Sequence, residues 1–270
     1  MTATQPNGFR SALITGASSG IGAAFARLLP AATVLLLTGR DGAALATLRG
    51  ALPTPERVET LVADLSVPAD RARLIAAAEA RHIDLLINNA GLGAFGPVID
   101  NDPALELMMA EVNVVAPVVL TRALLPGMVA RAQADGQRGG IIILSSVAGF
   151  APMARLATYA ATKAFDLHYA EALASELAGR PIDVLALCPG ATRTAFQARS
   201  GLPGGAPFEH SAERVAQDGL AALGHRTVHV VGGINRATAV SLRHLPRALI
   251  VRGVAAASAR LARRPKRPQV

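Results

Sequence analysis

The sequence has no tryptophan, a single cysteine and only 3% aromatic residues. So few rings leave little material for stacking nucleic-acid bases, and nucleic acid is not an expected partner. The lone cysteine, Cys188, excludes an internal disulfide and a cysteine-based zinc site, which points to a reducing compartment such as the cytoplasm. Its default reading is a small buried residue before Pro189. His82, His168, His210, His225, His229 and His244 are scattered without ligand spacing, so no metal is expected. Residues 1–8 are polar rather than basic and then apolar, so no secretory leader is expected. No uncharged apolar run reaches the length of a membrane span. Acidic residues are missing from Ser241 onward, while Arg243, Arg247, Arg252, Arg260, Arg263, Arg264, Lys266 and Arg267 follow one another.

What is present is apolar: 51% of 270 residues, ample for the core of one large domain or two small ones. The formal charge of +8 is unevenly placed. Residues 1–189 carry 14 basic and 16 acidic side chains, and residues 190–270 carry 13 and 3. Such asymmetry can mark a membrane surface or an anionic partner.

Apolar runs alternate with helical stretches along the chain. Residues 11–15, 33–38, 58–62, 85–88, 141–145, 183–188 and 228–231 are short and aliphatic, and read as strands buried on both faces. Residues 21–29, 43–52, 71–81, 114–130, 159–178 and 212–223 have helical spacing. Strand and helix in alternation predict an α/β fold, a doubly wound, parallel, seven-stranded sheet of Rossmann type in a single domain. The domain is expected to cover 1–235, with 236–270 as a basic helical extension broken or kinked at Pro246. Two stretches interrupt the rhythm. Residues 133–140 read as a polar connection. Residues 191–210, rich in Gly and Pro, read as an irregular lid.

The run Thr15-Gly16-Ala17-Ser18-Ser19-Gly20-Ile21-Gly22 follows the first strand and opens the first helix. Glycines there let backbone approach a pyrophosphate, and free N–H groups at a helix start favour negative charge. No Lys-Ser or Lys-Thr follows, which argues against a nucleoside-triphosphate loop. The bland alternative is a glycine-rich turn. The second strand ends in Thr38-Gly39-Arg40, where a dinucleotide fold meets the adenosine ribose. A carboxylate would bind a free 2′-hydroxyl, whereas the Arg40 guanidinium suits a 2′-phosphate, so NADP is favoured over NAD. Asp41 tempers this unless it caps the next helix with its side chain turned away. Arg40 could also be a solvated surface arginine.

With these residues in place, the chain resembles the short-chain dehydrogenase/reductase family from about Ser11 to about Gly232. Thr15–Gly22 matches Thr-Gly-x-x-x-Gly-x-Gly, and Asn88-Asn89-Ala90-Gly91 matches Asn-Asn-Ala-Gly. Asp64-Leu65 is similar to the family's adenine-contacting step, and Asn113 to its helix asparagine. Ser146 stands thirteen residues before Tyr159, and Tyr159-Ala160-Ala161-Thr162-Lys163 matches Tyr-x-x-x-Lys. Pro189-Gly190 with Thr192 and Thr194 resembles the stretch beside the nicotinamide. Each motif is weak alone; the ordered set is specific. The sequence departs from the family in a short 29–33 connection and in the basic tail.

The resemblance implies a catalytic set of Asn113, Ser146, Tyr159 and Lys163. It implies cofactor contacts from Gly16, Ser18, Ser19, Gly20, Ile21, Gly22, Arg40, Asp64, Leu65, Asn89, Ala90, Gly91, Tyr159, Lys163, Pro189, Gly190, Thr192 and Thr194. Tyr159 and Lys163 lie four apart, on one helix face. A free tyrosine has a pKa of about 10, and a nearby ammonium favours its phenolate, suiting Tyr159 to donate or accept a proton. Ser146, at a strand's carboxyl end, can hydrogen-bond the substrate oxygen. The family suggests that Lys163 bonds the nicotinamide ribose and that Asn113 holds a water leading to solvent. Against this, Tyr159 could be a half-buried helix residue, Asn113 a cap and Ser145 a rival to Ser146. Tyr169 reads as core.

Phe196, Leu202, Pro203 and Phe208 of the lid, with Leu92, Phe95 and Phe150, predict an apolar pocket, and Arg193 and Arg199 stand at the lid's start. A hydrophobic ketone, aldehyde or acyl chain fits. The expected function is an NADP(H)-dependent carbonyl reductase or alcohol dehydrogenase. The alternatives are a 3-oxoacyl reductase of lipid metabolism and a non-catalytic NADP-sensing regulator. In the tail, Leu242, Leu245, Leu249, Ile250 and Val254 interleave with arginines, which suits either peripheral contact with anionic lipid or packing on the domain. The family implies a homo-oligomer built through helices beside the active-site helix.

Overall fold

β1 (Ser11–Thr15) is buried along its whole length, and four central residues of β2 (Val34–Gly39) are buried too. Strands with no face for water are stable only between two layers of helix. The computed structural model, which describes residues 8–202 and 208–262, has that architecture. β1 and β2 are joined by β3 (Val58–Val62), β4 (Leu85–Asn88), β5 (Gly139–Leu144) and β6 (Ile182–Cys188). Two-residue strands β7 (Thr192–Arg193) and β8 (His210–Ser211) pair with each other, and β9 (Val228–Val230) completes the main sheet. The seven-stranded sheet is parallel, in the order β3-β2-β1-β4-β5-β6-β9.

Side chains alternate across each strand, so β1 serves two cores. Ala12 and Ile14 join the layer of α1 (Gly20–Leu28), α2 (Gly42–Gly50) and, further along, α8 (Ala212–Ala222). Leu13 joins the opposite layer of α3 (Pro68–Ala80), α5 (Ala116–Asp135) and α6 (Ala157–Glu176). Between α3 and α5 lies α4 (Pro103–Ala110), and α7 (Ala195–Arg199) sits inside the lid. Phe25 of α1 is fully buried. A Cβ at Gly219 of α8 would lie 3.1 Å from its ring, so the small residue sets the helix spacing. Burying one such aromatic contributes roughly 1.5–3 kcal/mol.

Several expectations change. Helix 114–130 begins earlier and ends later: α4 runs into a π turn, Glu111–Val115, and then into α5. The whole rod, Pro103–Asp135, is long and apolar enough to cross a membrane by length and composition, yet half of its most apolar window is buried inside the fold. The connection expected at 133–140 is shorter, because α5 reaches Asp135 and ends on Gly136 at φ +62°, the left-handed cap that glycine adopts freely. The lid is not irregular throughout. Thr194 caps α7 by accepting from Phe196 N at 3.3 Å, and β7 paired with β8 ties the lid's two ends. The tail forms α9 (Gly233–His244) and α10 (Arg247–Ala262), with the break at Leu245-Pro246.

Candidate active site

The chain leaves β1 in one direction along the sheet and returns at β4 to continue in the other. That reversal opens a crevice at the strands' carboxyl ends. The glycine-rich turn lines it. Gly16 and Gly20 have φ of +64° and +57°, which side-chain-bearing residues rarely adopt. A Cβ at Gly16 would lie 2.8 Å from Ala90 Cα, and one at Gly22 would collide with the Gly16 carbonyl. Thr15 Oγ1 accepts from Asn89 N (2.9 Å) and Ala90 N (3.0 Å). Asn89 Nδ2 donates to Thr15 O (2.8 Å) and Gly16 O (3.2 Å). The two motifs thereby clamp each other. Ser19 makes no side-chain cap on α1, so the first N–H groups of that helix stay available to an anion.

At the tip of β2, Asp41 accepts from Ala44 N at 2.9 Å, so its carboxylate is committed to capping α2. Arg40 remains exposed, touches Met108 Sδ at 3.7 Å and has no ion-pair partner among the described residues. Asp64 Oδ1 accepts from Ser66 N (2.9 Å) and Ser66 Oγ (2.7 Å), and Leu65 O accepts from Arg71 (2.7 Å), itself paired with Glu111. These bonds fix the loop that follows β3 at the crevice.

The catalytic candidates meet where β5 and α6 converge. Gly149, in the turn after β5, lets that turn touch α6, since a Cβ there would lie 2.6 Å from Lys163 O. Ser145 Oγ donates to Lys163 O at 2.7 Å and is buried, so its hydroxyl is already used. Ser146 Oγ accepts from Ala148 N (3.1 Å) and donates only across 3.4 Å to Pro189 O, which leaves its proton easy to redirect. Asn113 sits inside the π turn. It accepts from Leu92 N (2.8 Å) and donates to Leu92 O (2.9 Å) and Thr162 Oγ1 (3.0 Å). It is fully buried and does not line the cavity.

Lys163 Nζ donates to Leu144 O (2.7 Å) and to Asp166 Oδ2 (2.8 Å), both partners of the ion pair being almost completely buried. Burial works against the Lys163 ammonium, but Asp166 and, next, Tyr159 more than offset it and hold the amine above its ordinary value. Burial pushes the Asp166 carboxyl up, against the pull of Lys163. Cys188 is a buried thiol pushed up to about 12, so it is neutral and inert. Sequence reasoning missed Asp166; its signal was an acid one helical turn beyond Lys163.

Gly16, Ser18, Ser19, Gly20, Ile21, Arg40, Asp64, Leu65, Asn89, Ala90, Gly91, Ser146, Tyr159, Lys163, Pro189, Gly190, Thr192 and Thr194 all line one cavity of about 1200 Å³. Pockets for drug-sized ligands measure roughly 300–1,000 Å³, so this cavity exceeds what one such ligand needs. Gly22 is the expected cofactor residue that does not reach it; it supports the turn from below. Of the expected apolar wall, Leu92, Phe196 and Leu202 line the cavity. Phe95, Phe150 and Phe208 do not; Phe208 is exposed at the far end of the lid. Pro203 lies outside the described residues. Arg193 turns away to Glu209 O, while Arg199 reaches Ser19 Oγ at 3.0 Å. Unforeseen wall residues come from Leu105, Met108 and Val112 around the π turn, and from Thr238, Leu242 and Val254 of the tail. The Tyr159 ring stands 5.5 Å from Phe196, so α7 closes over it.

A short chain dehydrogenase family model matches residues 10–202. The bovine (Bos taurus) dehydrogenase/reductase SDR family member 7B is 33% identical over 240 residues, covering 81% of this chain and 72% of its own. Among solved structures, a short-chain dehydrogenase from Sphingobium yanoikuyae in complex with NADPH is 31% identical, with a TM-score of 0.74 over 97% of this chain and 98% of its own. A 7beta-hydroxysteroid dehydrogenase is 27% identical, with a TM-score of 0.78 over 91% and 96%. Together with the clamped glycine turn and the Ser146, Tyr159 and Lys163 cluster, these matches establish that the chain belongs to the short-chain dehydrogenase/reductase family, oxidoreductases that act on CH–OH groups.

Proposed function

We propose that the chain interconverts a carbonyl and an alcohol on an apolar substrate with NADP(H), NAD(H) being the weaker alternative. The observation that carries this reading is the convergence of Tyr159, Lys163 and Ser146 with the Gly16–Ile21 turn on one cavity. The cradle suits a dinucleotide: Gly16 is shaped for close approach, α1 is uncapped, and Arg40 offers a guanidinium that Asp41 does not neutralise. When bound, the nicotinamide supplies or takes the hydride.

The chain's residues handle the proton. In reduction, Tyr159 gives its phenolic proton to the oxygen as negative charge develops there; in oxidation it takes that proton back. Ser146 gives its hydroxyl hydrogen bond to the same oxygen and fixes it beside the phenol. The Lys163 ammonium stabilises phenolate, and Asn113, bonded at both ends to Leu92 and Thr162, holds the floor rigid. Leu92, Leu156, Phe196, Leu242 and Val254 make the substrate end apolar. A free ketone or alcohol suits that wall better than a carrier-bound 3-oxoacyl chain, because Arg193 is engaged elsewhere.

The test is a panel of apolar ketones and secondary alcohols with NADPH and NADH, followed by reduced-nicotinamide absorbance. Tyr159→Phe should lower kcat by roughly 100- to 10,000-fold with NADPH binding intact. Unchanged turnover in that variant would remove the assignment, and a protein active in no pair would favour the regulator. The tail supports two further readings. Thr238, Leu242 and Val254 make it a roof, while Leu245, Leu249 and Val251 stay exposed beside Arg247 and Arg252, suiting peripheral contact with anionic lipid. A homo-oligomer through α5 and α6 is proposed from the half-exposed Phe165–Tyr169 stack on α6, and a cytoplasmic location from the single buried thiol.

A further inference from the structure

Asp166 is a buried acid that proton transfer as derived above does not use. Its side chain is 2% exposed and that of Lys163 is 5%. One oxygen, Oδ2, accepts from Lys163 at 2.8 Å; the other, Oδ1, has no partner among the described residues. Isolating a carboxylate from water costs several kcal/mol unless a cation answers it. An apolar residue would serve the packing alone, as Leu167, Ala170 and Leu173 do on the same helix.

We infer that Asp166 is a positioning residue of the active site, which anchors the Lys163 ammonium from below and offsets part of its charge at Tyr159. The inference rests on the reading of Tyr159 and Lys163 as the proton-handling pair. Two bonds, to Leu144 O and Asp166, hold Nζ at the floor, and Gly91 passes close enough that a Cβ there would lie 3.6 Å from Nζ. The ammonium's remaining N–H is the one available to the cavity. A bare ammonium would draw Tyr159 toward phenolate more strongly than an ammonium paired with a carboxylate. Asp166 therefore weakens the pull of the ammonium on the Tyr159 phenol. The other titratable groups facing the pair are Tyr159 on α6, Cys188 at the end of β6 and, beyond Cys188, Glu171. Cys188 stays a neutral thiol and contributes no competing charge.

The chain permits a direct test, because Tyr159 and Tyr169 are its two tyrosines and tryptophan is absent. In a Tyr169→Phe background, the ultraviolet absorbance of tyrosinate reports Tyr159 alone, with no need for turnover. Adding Asp166→Asn should move the midpoint down by roughly half to one pH unit, and Asp166→Glu should restore it. A midpoint that stays or rises in Asp166→Asn overturns the inference. Should Asp166→Asn fail to fold, the unmutated protein gives a second measurement. Lys163 and Lys266 are the two lysines, so carbon NMR of the methylene next to Nζ resolves both, with Lys266→Arg assigning them. Lys163 should remain ammonium beyond the pH at which Lys266 titrates; titration at or below that pH overturns the pairing. Failure of the proton-transfer reading would appear separately, as full turnover in Tyr159→Phe.

Discussion

The floor and the roof of the cavity are built on opposite principles. The floor, from the Gly16 turn through Asn89, Ser145 and Lys163, is held by short hydrogen bonds between buried groups, and several of its glycines lack room for one more carbon. The roof, α7 with α9 and α10, is hydrogen-bonded to the phosphate turn through Arg199 and Ser19, and lines the cavity with Phe196, Leu242 and Val254. Buried polar networks fix geometry to fractions of an ångström, whereas aliphatic contacts tolerate substitution of similar volume. On the function proposed above, the floor sets the reaction and the roof the substrate.

The strongest challenge to that division is Gly16→Val. It adds strain at a positive φ and a clash with Ala90, together roughly 2–5 kcal/mol, so affinity for NADPH and NADH alike should fall by about 30-fold or more. Calorimetric titration measures it, and unchanged binding would mean that the turn is not the cradle. Arg40→Ala is the selective version. Losing charge-assisted bonds to a phosphate costs about 1.5–3 kcal/mol, so NADPH should weaken by roughly 10- to 100-fold while NADH is unaffected. Equal weakening of both would make Arg40 a general surface charge. The smallest effect belongs to the roof. A chain ending at Leu245 loses Val254 from the wall and should raise KM for a bulky ketone about fivefold, with kcat nearly constant. The same truncation should abolish co-sedimentation with anionic vesicles; equal binding by both chains would remove the lipid contact.

The legible part of the sequence follows the same division. All seven sheet strands were readable as short β-branched and aliphatic runs, and residues 58–62 and 85–88 form β3 and β4; β3, at the sheet's edge, is not buried on both faces as expected but leaves Glu59 and Val62 exposed. The choice between Ser145 and Ser146 was not readable, because it depends on which hydroxyl the α6 backbone engages. α4 went unseen although Asp102 caps it, accepting from Ala104 N at 2.9 Å, with Pro103 at its first position. Eight residues carry too few turns for a periodic signal to stand out. The roof was hidden because Leu242 and Val254 resemble any core aliphatic; only tertiary placement separates a substrate wall from a packed helix. Phe95 and Phe150 erred the other way, as aromatic residues near the motif that face elsewhere.

The π turn at Glu111–Val115 has a consequence for how this protein tolerates changes in length. An α-helix advances about 100° per residue, and a wide turn stores one residue more than the regular spiral requires. α5 downstream buries Leu120, Thr121, Leu124 and Met128. Deleting one residue between Glu111 and Val115 would relax the wide turn to a regular one and leave that face in phase, whereas deleting one within α5 ahead of Leu120 would rotate the face by about 100° and aim it at solvent. The surface connection at 136–138 can gain or lose a residue without shifting a helix face; this rod has a phase, and it can lose a residue without slipping only inside the wide turn that holds Asn113.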